Sequence, residues 1–544
     1  MEQGRGLSGA GFRRVLVHNS VFGLLLAILL LPSALVSFEA FICGLPAWLA
    51  LLAVVNSRRA VAWLAIPLVL FLPAVLHYQH VAQMAPGESL WLILFNSSLA
   101  EVLEYLEPFA LWLSVWAVIS SALLWLAWRW MRGPIFSRQA IRWACVAPLL
   151  MQVATFPTWV ASQQPMVATN WHFHMSYPWS LLTGYVQARI ELAEFAQIER
   201  VVAASSKVKV NQLASGRGPR TIVLVIGESA RRDRHGIYGY PVQTTPMAER
   251  TPGLVAFSNV ISLHYHTVDA VPVILAKRRA WNTGSQDHPN LISSFASAGF
   301  RTFWISNQAA MGMDDSAVAA YASFADVQIF ERPLSRFGLI AYDDVLLPRF
   351  FAALSGKADD RFIVLHLFGS HERFSQRYPS EFNEFPDSYD NSILYTDAIL
   401  GQVMQSLSQM PGESAMVYLS DHGLKLGECD GLREHFDSKQ AFEIPLYVWT
   451  SSSWQAAHPA QWAQAKANRD LPATTMNVFD TLMDLADLRY PQYDAGSSLL
   501  AAHPETSKRI VAGSFGLVDY DHASNNKQCH LVPNVDVRPR STAP

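Results

Sequence analysis

Five apolar stretches crowd the first 160 or so residues, at approximately 17–37, 40–55, 60–79, 109–131 and 142–161, and nothing else in the chain constrains its fold as strongly. A run of about 20 apolar residues spans a bilayer as a helix, because a helix satisfies every backbone N–H and C=O within the segment. The first stretch follows Arg13 and Arg14 as the core of a signal peptide would. With four more stretches behind it, an uncleaved anchor is the expectation. The stretch at 40–55 is the shortest.

Basic residues set the orientation, since Lys and Arg concentrate in cytoplasmic loops. Arg5, Arg13 and Arg14 precede the first stretch, Arg58 and Arg59 separate the second and third, and Arg129, Arg132, Arg138 and Arg142 lie between the fourth and fifth. The other two connections lack Lys and Arg, and the one at about 80–108 carries Glu88, Glu101, Glu104 and Glu107. Five spans with a cytoplasmic N-terminus put everything after residue 162 outside. Residues 90–105 of that acidic connection are apolar on one face at helical spacing. They read as a helix at the membrane interface or as an amphipathic cover for the outer domain. Charged residues make up only 16% of the chain, against about 25% in soluble domains. The net charge of −3 speaks against nucleic acid as a partner.

The expected organisation is a transmembrane domain over 1–161, bridging helices and a linker over 162–219, and an outer domain over 220–544. Residues 180–206 place Tyr185, Ile190, Leu192, Phe195, Ile198 and Val201 near one stripe of a helix. From Arg220 short β-rich runs alternate with helical stretches: Thr221–Ile226, Thr302–Ile305, Phe362–Phe368, Met416–Ser420 and Leu446–Thr450. That alternation predicts an α/β fold with a largely parallel sheet. There is no Cys-x-x-Cys, so a thiolate zinc site is not expected. Cys429 and Cys529 can pair if this half lies outside, or stand as two thiols.

Open α/β sheets build their sites beyond the carboxyl ends of the strands. The first four runs lead into Gly227-Glu228-Ser229-Ala230-Arg231, Ser306-Asn307-Gln308, a block from His366 to His371, and Asp421-His422-Gly423. A lone Asp-His pair is most often a cap beside a surface histidine. Carboxylates and imidazoles at four strand ends of one domain form a donor set suited to zinc. A metal also makes a hydroxyl nucleophilic by lowering its pKa. Ser262 and Thr267 are the hydroxyls on offer in the segment 258–272. Thr267 opens a predicted helix, where free N–H groups favour a phosphate; the bland alternative is an N-cap.

These motifs resemble the phosphoethanolamine transferases of Gram-negative envelopes, in the alkaline phosphatase/sulfatase superfamily. The resemblance rests on Gly-Glu228-Ser-Ala-Arg231, on Thr267-Val-Asp-Ala-Val-Pro272, on His366-Leu-Phe-Gly-Ser-His371 followed by Tyr378-Pro379, and on Asp421-His422-Gly423, and with the five-span anchor it covers nearly the whole chain. It implies that Glu228, Thr267, Asp421 and His422 hold a catalytic zinc and that Thr267 is the nucleophile. It also implies that His371 and His435 bind the substrate phosphate or a second zinc, with His366 in support. Asn307, after the second of these runs, is a further candidate for contact with substrate. The family's donor is phosphatidylethanolamine, its acceptor an envelope glycan or glycolipid, and its place the inner membrane with a periplasmic catalytic domain.

The chain departs from the lipid A-modifying members at several points. At most one disulfide can form in the outer domain, Leu424 follows Asp-His-Gly where those members have Glu, and Ala309–Met313 lacks their Cys-Lys element. Ser97 and Glu101 resemble a family Thr-x3-Glu pair, but Ile93 stands where an Asn is expected, and His435 lies one residue further along than usual. These traits are closer to the members that modify periplasmic glucans or the lipopolysaccharide core. A glycerol-phosphate transferase or phosphodiesterase of the superfamily is the nearest rival, and a sulfatase is disfavoured because no Cys/Ser-x-Pro-x-Arg block occurs. A non-catalytic scaffold would be expected to have lost one of Glu228, Thr267, Asp421 or His422; all are present.

Overall fold

A computed structural model describes residues 9–36, 38–82, 86–87, 90–91, 94–95, 110–130, 133–137, 140, 176–205, 209–213, 218–276, 289–310, 316–332, 342–356, 359–429, 431, 433–434, 437–504, 508–513, 516–527 and 529–534. The chain divides into two compact units, Met1–Leu192 with Leu334–Gly338, and Ala193–Pro333 with Leu339–Pro544.

The first unit is helical: α1 (Gly9–Val36), α2 (Phe38–Val55), α3 (Arg58–Leu70), α4 (Leu72–Ala82) and α5 (Ala110–Trp130), followed by α6 (Trp179–Ser205), which runs on into the second unit. The first, second and fourth expected stretches fold as α1, α2 and α5. The fifth, at 142–161, lies outside the described residues, as do Ser97 and Glu101. By length and hydropathy one described window, Asn19–Val36, is a candidate span; Ala40–Val55 and Ala110–Leu126 are shorter apolar helices.

The third stretch is not the single helix expected. It breaks at Phe71 into α3 and α4. Pro73 has no N–H for the carbonyl of Val69, four residues back. The Trp116 indole N–H donates to that carbonyl instead, at 2.8 Å, and the Tyr177 hydroxyl donates to the carbonyl of Leu68, also at 2.8 Å. Asn56, between α2 and α3, accepts from the N–H groups of Ile135 and Phe136 at 3.1 and 2.8 Å. The Arg58–Arg59 pair and Arg129 therefore stand at one end of this helical unit.

The second unit is built on a seven-stranded sheet. Its strands are β1 (Arg220–Gly227), β2 (Leu254–Phe257), β3 (Arg301–Ala309), β4 (Val327–Arg332), β5 (Arg361–His366), β6 (Glu413–Ser420) and β7 (Leu446–Thr450). The spatial order is β2-β7-β6-β1-β5-β3-β4. The five strands from β6 to β4 are parallel, and β7 runs antiparallel to both β6 and β2. The expectation of a largely parallel sheet holds. All five predicted runs are strands; β2 and β4, at the two edges, were not foreseen.

The central strands are apolar on both faces, as a sheet covered by helices on each side must be. Ile222, Leu224 and Ile226 of β1 join one core cluster, with Phe362, Val417, and Phe479 of α13 (Asn477–Leu485). Val223 and Val225 join the other, with Ile363, Met416, and Ile399 and Val403 of α10 (Ser388–Ser408). Helix α7 (Thr267–Ala276) packs Val271, Ile274 and Leu275 into the first cluster, beside α8 (Leu291–Ser297); α9 (Leu346–Leu354) packs into the second. Phe362 is fully buried and stacks on Phe295 of α8 with ring centroids 4.0 Å apart. Phe362→Ala is expected to cost about 3–5 kcal/mol. Denaturant unfolding of the detergent-solubilised protein checks this; a loss below about 1 kcal/mol would show that the pair does not brace the sheet.

Candidate metal and nucleophile site

The site arises from the register of two adjacent strands. Gly227 of β1 pairs with Ser420 of β6, so the next residues, Glu228 and Asp421, emerge side by side from the same end of the sheet. The Asp421 N–H donates to the Gly227 carbonyl at 3.1 Å and fixes that step. Both carboxylates are buried, and His422 is buried with them. The His422 Nε2 lies 3.5 Å from Glu228 Oε1 and 3.5 Å from Asp421 Oδ2. Its Nδ1 is 2.6 Å from the Gly423 carbonyl, which can only accept. Nδ1 therefore carries a proton, and Nε2 is the nitrogen that faces the carboxylates.

Thr267 completes the cluster. It is the first residue of α7, and the helix's first hydrogen bonds are accepted by the carbonyl of His266, which takes the cap position. The Thr267 hydroxyl instead donates to Glu228 Oε2 at 3.0 Å and lies 3.3 Å from His422 Nε2. Ser262, the other hydroxyl on offer, is buried and accepts from the His264 N–H at 3.4 Å.

Glu228, Asp421 and His422 present donors within 4.8 Å of one another, an arrangement able to hold a metal ion. Two observations make the fit specific. Asp421 Oδ2 is buried and, among the described residues, has no hydrogen-bond partner. The donor spacings also lie close to the edge, about 3.3 Å, of a tetrahedron with ligand bonds near 2.0–2.1 Å. Burial first, and then the neighbouring Glu228 carboxylate, push the Asp421 carboxyl well above its ordinary range. Two carboxylates in a dry site resist joint ionisation, and a dication relieves that.

Around the donors lies a supporting set that sequence reasoning missed in part. Ser229 adopts a left-handed conformation (φ +57°), and its hydroxyl donates to Glu228 Oε1 at 2.6 Å. Gln308, at the end of β3, donates to Glu228 Oε2 at 3.0 Å and to the Leu367 carbonyl at 2.9 Å. Its neighbour Asn307, the residue singled out from sequence, donates to Asp343 Oδ1 at 2.8 Å. Asp343 also accepts from the N–H groups of Phe368 and Gly369 at 2.8 and 2.9 Å, holding the turn that leads to His371. Gln308 was legible as a strand-end amide; nothing in the sequence marked Asp343. The Tyr389 hydroxyl bridges the block, donating to the Ser229 carbonyl at 2.6 Å and accepting from the Arg231 N–H at 2.9 Å. Arg231 pairs with Asp233 and Glu428.

His366 is buried beside Trp304, its Nδ1 3.3 Å from the Ser306 hydroxyl, and burial lowers its pKa to about 4. The His371 ring stacks on Phe368, centroids 5.0 Å apart. His435 lies outside the described residues, directly after the short hairpin that pairs Lys425–Leu426 with Arg433–Glu434. That hairpin follows the Asp-His-Gly turn and contains Cys429, which forms a disulfide with Cys529 (Cα–Cα 5.8 Å). The two cysteines pair.

Gly369 explains why the Gly-Ser-His block needs its glycine. Its φ is +48°, and a Cβ there would stand 2.8 Å from the Glu228 N and 2.9 Å from its carbonyl oxygen. Gly369→Ala is expected to cost about 1–3 kcal/mol and to displace Glu228. Thermal unfolding together with metal content checks this, and unchanged values for both would show that the close approach is not needed.

This fold and donor set define a class, the sulfatase family, whose family model matches residues 220–488. The sulfatase-family match and the phosphoethanolamine transferase homologues together support a place among the phosphoethanolamine transferases of the alkaline phosphatase superfamily. The chain is 27% identical over 488 residues to phosphoethanolamine transferase EptC of Escherichia coli O18:K1:H7, covering 82% of this chain and 84% of that protein. Phosphoethanolamine transferase OpgE of Escherichia coli K12 is 32% identical over 260 residues, 46% of this chain and 48% of the relative. The crystal structure of the C-terminal periplasmic domain of EptC from Escherichia coli, in complex with Zn, superposes with a TM-score of 0.53 at 28% identity, covering 58% of this chain and 96% of that one. The leaning toward glucan- or core-modifying members is consistent with these relatives.

Proposed function

We propose that the protein is a zinc-dependent transferase that moves phosphoethanolamine from phosphatidylethanolamine to an envelope glycan or glycolipid: a periplasmic glucan, the lipopolysaccharide core or lipid A. In this reading it is anchored in the bacterial inner membrane by several passes, with its N-terminus cytoplasmic and its catalytic domain periplasmic. One observation carries the reading: a threonine hydroxyl hydrogen-bonded into a buried Glu-Asp-His donor set, in a chain similar to EptC over most of its length.

Glu228, Asp421, His422 and Thr267 would hold the zinc. Bound there, it supplies positive charge that lowers the pKa of the hydroxyl and offsets charge on the transferring group. The chain's own groups do the rest. Glu228 Oε2 takes the proton that the Thr267 hydroxyl already donates to it. The Thr267 Oγ–phosphorus bond then forms as the phosphorus–oxygen bond to diacylglycerol breaks, and the departing glycerol oxygen takes up a proton. A phosphoethanolamine–threonine remains. The acceptor hydroxyl gives up its proton and its oxygen bonds to the phosphorus as the Thr267 Oγ–phosphorus bond breaks; Oγ regains the proton held by Glu228, which restores the starting state and makes the kinetics ping-pong. The first N–H groups of α7 face the same end of the helix as the threonine and favour the anionic group. His371 and His435 would hold the phosphate or a second zinc, with His366 behind them, and Asn307, Ser97 and Glu101 are further candidates for contact with substrate.

Peptide mass spectrometry after incubation with phosphatidylethanolamine should show a phosphoethanolamine-sized increase on the peptide containing Thr267. Thr267→Ala should lack the adduct and lose transfer by about 10⁴-fold or more. Near-normal turnover in that variant rules out the nucleophile assignment, and an adduct from phosphatidylglycerol alone selects glycerol-phosphate transfer instead. Asp421→Asn should lose one equivalent of tightly bound zinc relative to the parent protein, read by elemental analysis; unchanged stoichiometry counts against that ligand.

A further inference from the structure

At the opposite end of the sheet a second donor cluster stands apart from the one described. Glu413 is the first residue of β6, whose other end leads to Asp421. The eight residues of that strand separate the clusters by roughly 25 Å. His458 lies between α11 (Ser452–Ala457) and α12 (Pro459–Asn468), and Asp487 lies between α13 and the strand pair formed by Leu488–Arg489 with Asn211–Gln212. The His458 Nε2 is 3.0 Å from Glu413 Oε2 and 3.6 Å from Asp487 Oδ2. The side chains of Glu413, His458 and Asp487 are all largely buried.

Three features make this more than a surface ion pair. The donors lie within 4.8 Å of one another, as at the catalytic cluster. Their spacings of 3.0 and 3.6 Å bracket the roughly 3.3 Å edge of a tetrahedron with bonds near 2.0–2.1 Å. The imidazole is also held in place: its ring stacks on the buried Trp454, centroids 4.6 Å apart, and the Trp454 indole N–H donates to the Leu485 carbonyl at 3.0 Å. Asp487 is fixed from the other side. It takes a left-handed conformation (φ +53°), and its carbonyl accepts from the Leu213 N–H at 2.9 Å. Two carboxylates and an imidazole, all held in place, offer a donor set that complements a dication of the zinc class.

We propose that Glu413, His458 and Asp487 form a second zinc site, structural in role, with solvent in the remaining position. The ion ties the start of β6, the α11–α12 corner and the turn after α13 into one unit. The proposal does not depend on the transfer chemistry assigned above.

The test uses full-length protein in detergent carrying Glu228→Gln, Asp421→Asn and His422→Gln together, which removes the catalytic donors. After chelation and re-equilibration with zinc alone, this triple variant should retain one equivalent. Adding His458→Gln should remove that equivalent, and zinc should raise the melting temperature of the triple variant but not of the quadruple one. Should the His458 change prevent folding, Asp487→Asn on the same background serves in its place. A triple variant that binds no zinc overturns the proposal and leaves His458 as a hydrogen-bonding partner of Glu413. So does a quadruple variant that binds as much zinc as the triple.

Discussion

Everything in the catalytic unit depends on keeping two buried carboxylates side by side against their mutual repulsion. Glu228 and Asp421 emerge together because β1 and β6 are parallel neighbours in a fixed register. Neither strand alone could hold that pairing. It needs apolar residues on both faces, helices to cover each, and a turn that packs against the Glu228 backbone with no side chain intervening. The donors that surround Glu228, namely Ser229, Gln308 and Thr267, come from three separate segments and converge on its two oxygens. Such preorganisation costs folding energy and is recovered when a cation binds, because the site's own charges no longer oppose one another.

Much of this was legible in the sequence, and the reasons are physical. Strands buried on both faces are largely apolar runs, so the parallel β1, β3, β5 and β6 and the antiparallel β7 announce themselves. The edge strands β2 and β4 do not: Leu254–Phe257 has four residues, and Val327–Arg332 mixes polar with apolar ones. Glu228, Asp421 and His422, which the structure gathers into one buried cluster, were legible because residues at a strand end sit only one or two positions past the last apolar one. Supporting groups act across the sheet and leave no such trace. Asp343 anchors the Gly-Ser-His turn from a segment with no motif at all, and Asn307, chosen because it follows a strand, turns out to bond to Asp343 while the adjacent Gln308 reaches Glu228.

In the helical unit the lesson concerns proline. Counting apolar residues predicts one helix through 60–79, whereas two helices divide at Phe71, where Pro73 leaves no N–H for the Val69 carbonyl. In an apolar setting a freed carbonyl is expensive. Trp116 and Tyr177 meet the carbonyls of Val69 and Leu68 with groups that are apolar in body and polar at the tip. Trp48 does the same for the Tyr177 carbonyl, at 3.3 Å.

The bond between Cys429 and Cys529 joins residues 100 positions apart. Cys429 sits in the hairpin that follows the Asp421-His422 pair, while Cys529 belongs to the last described stretch of the chain. During synthesis that hairpin stays untethered until residue 529 has been made and the two thiols have been oxidised. The cross-link therefore closes late: a chain stalled or truncated before residue 529 already carries Glu228, Thr267, Asp421 and His422 and still lacks the staple beside them.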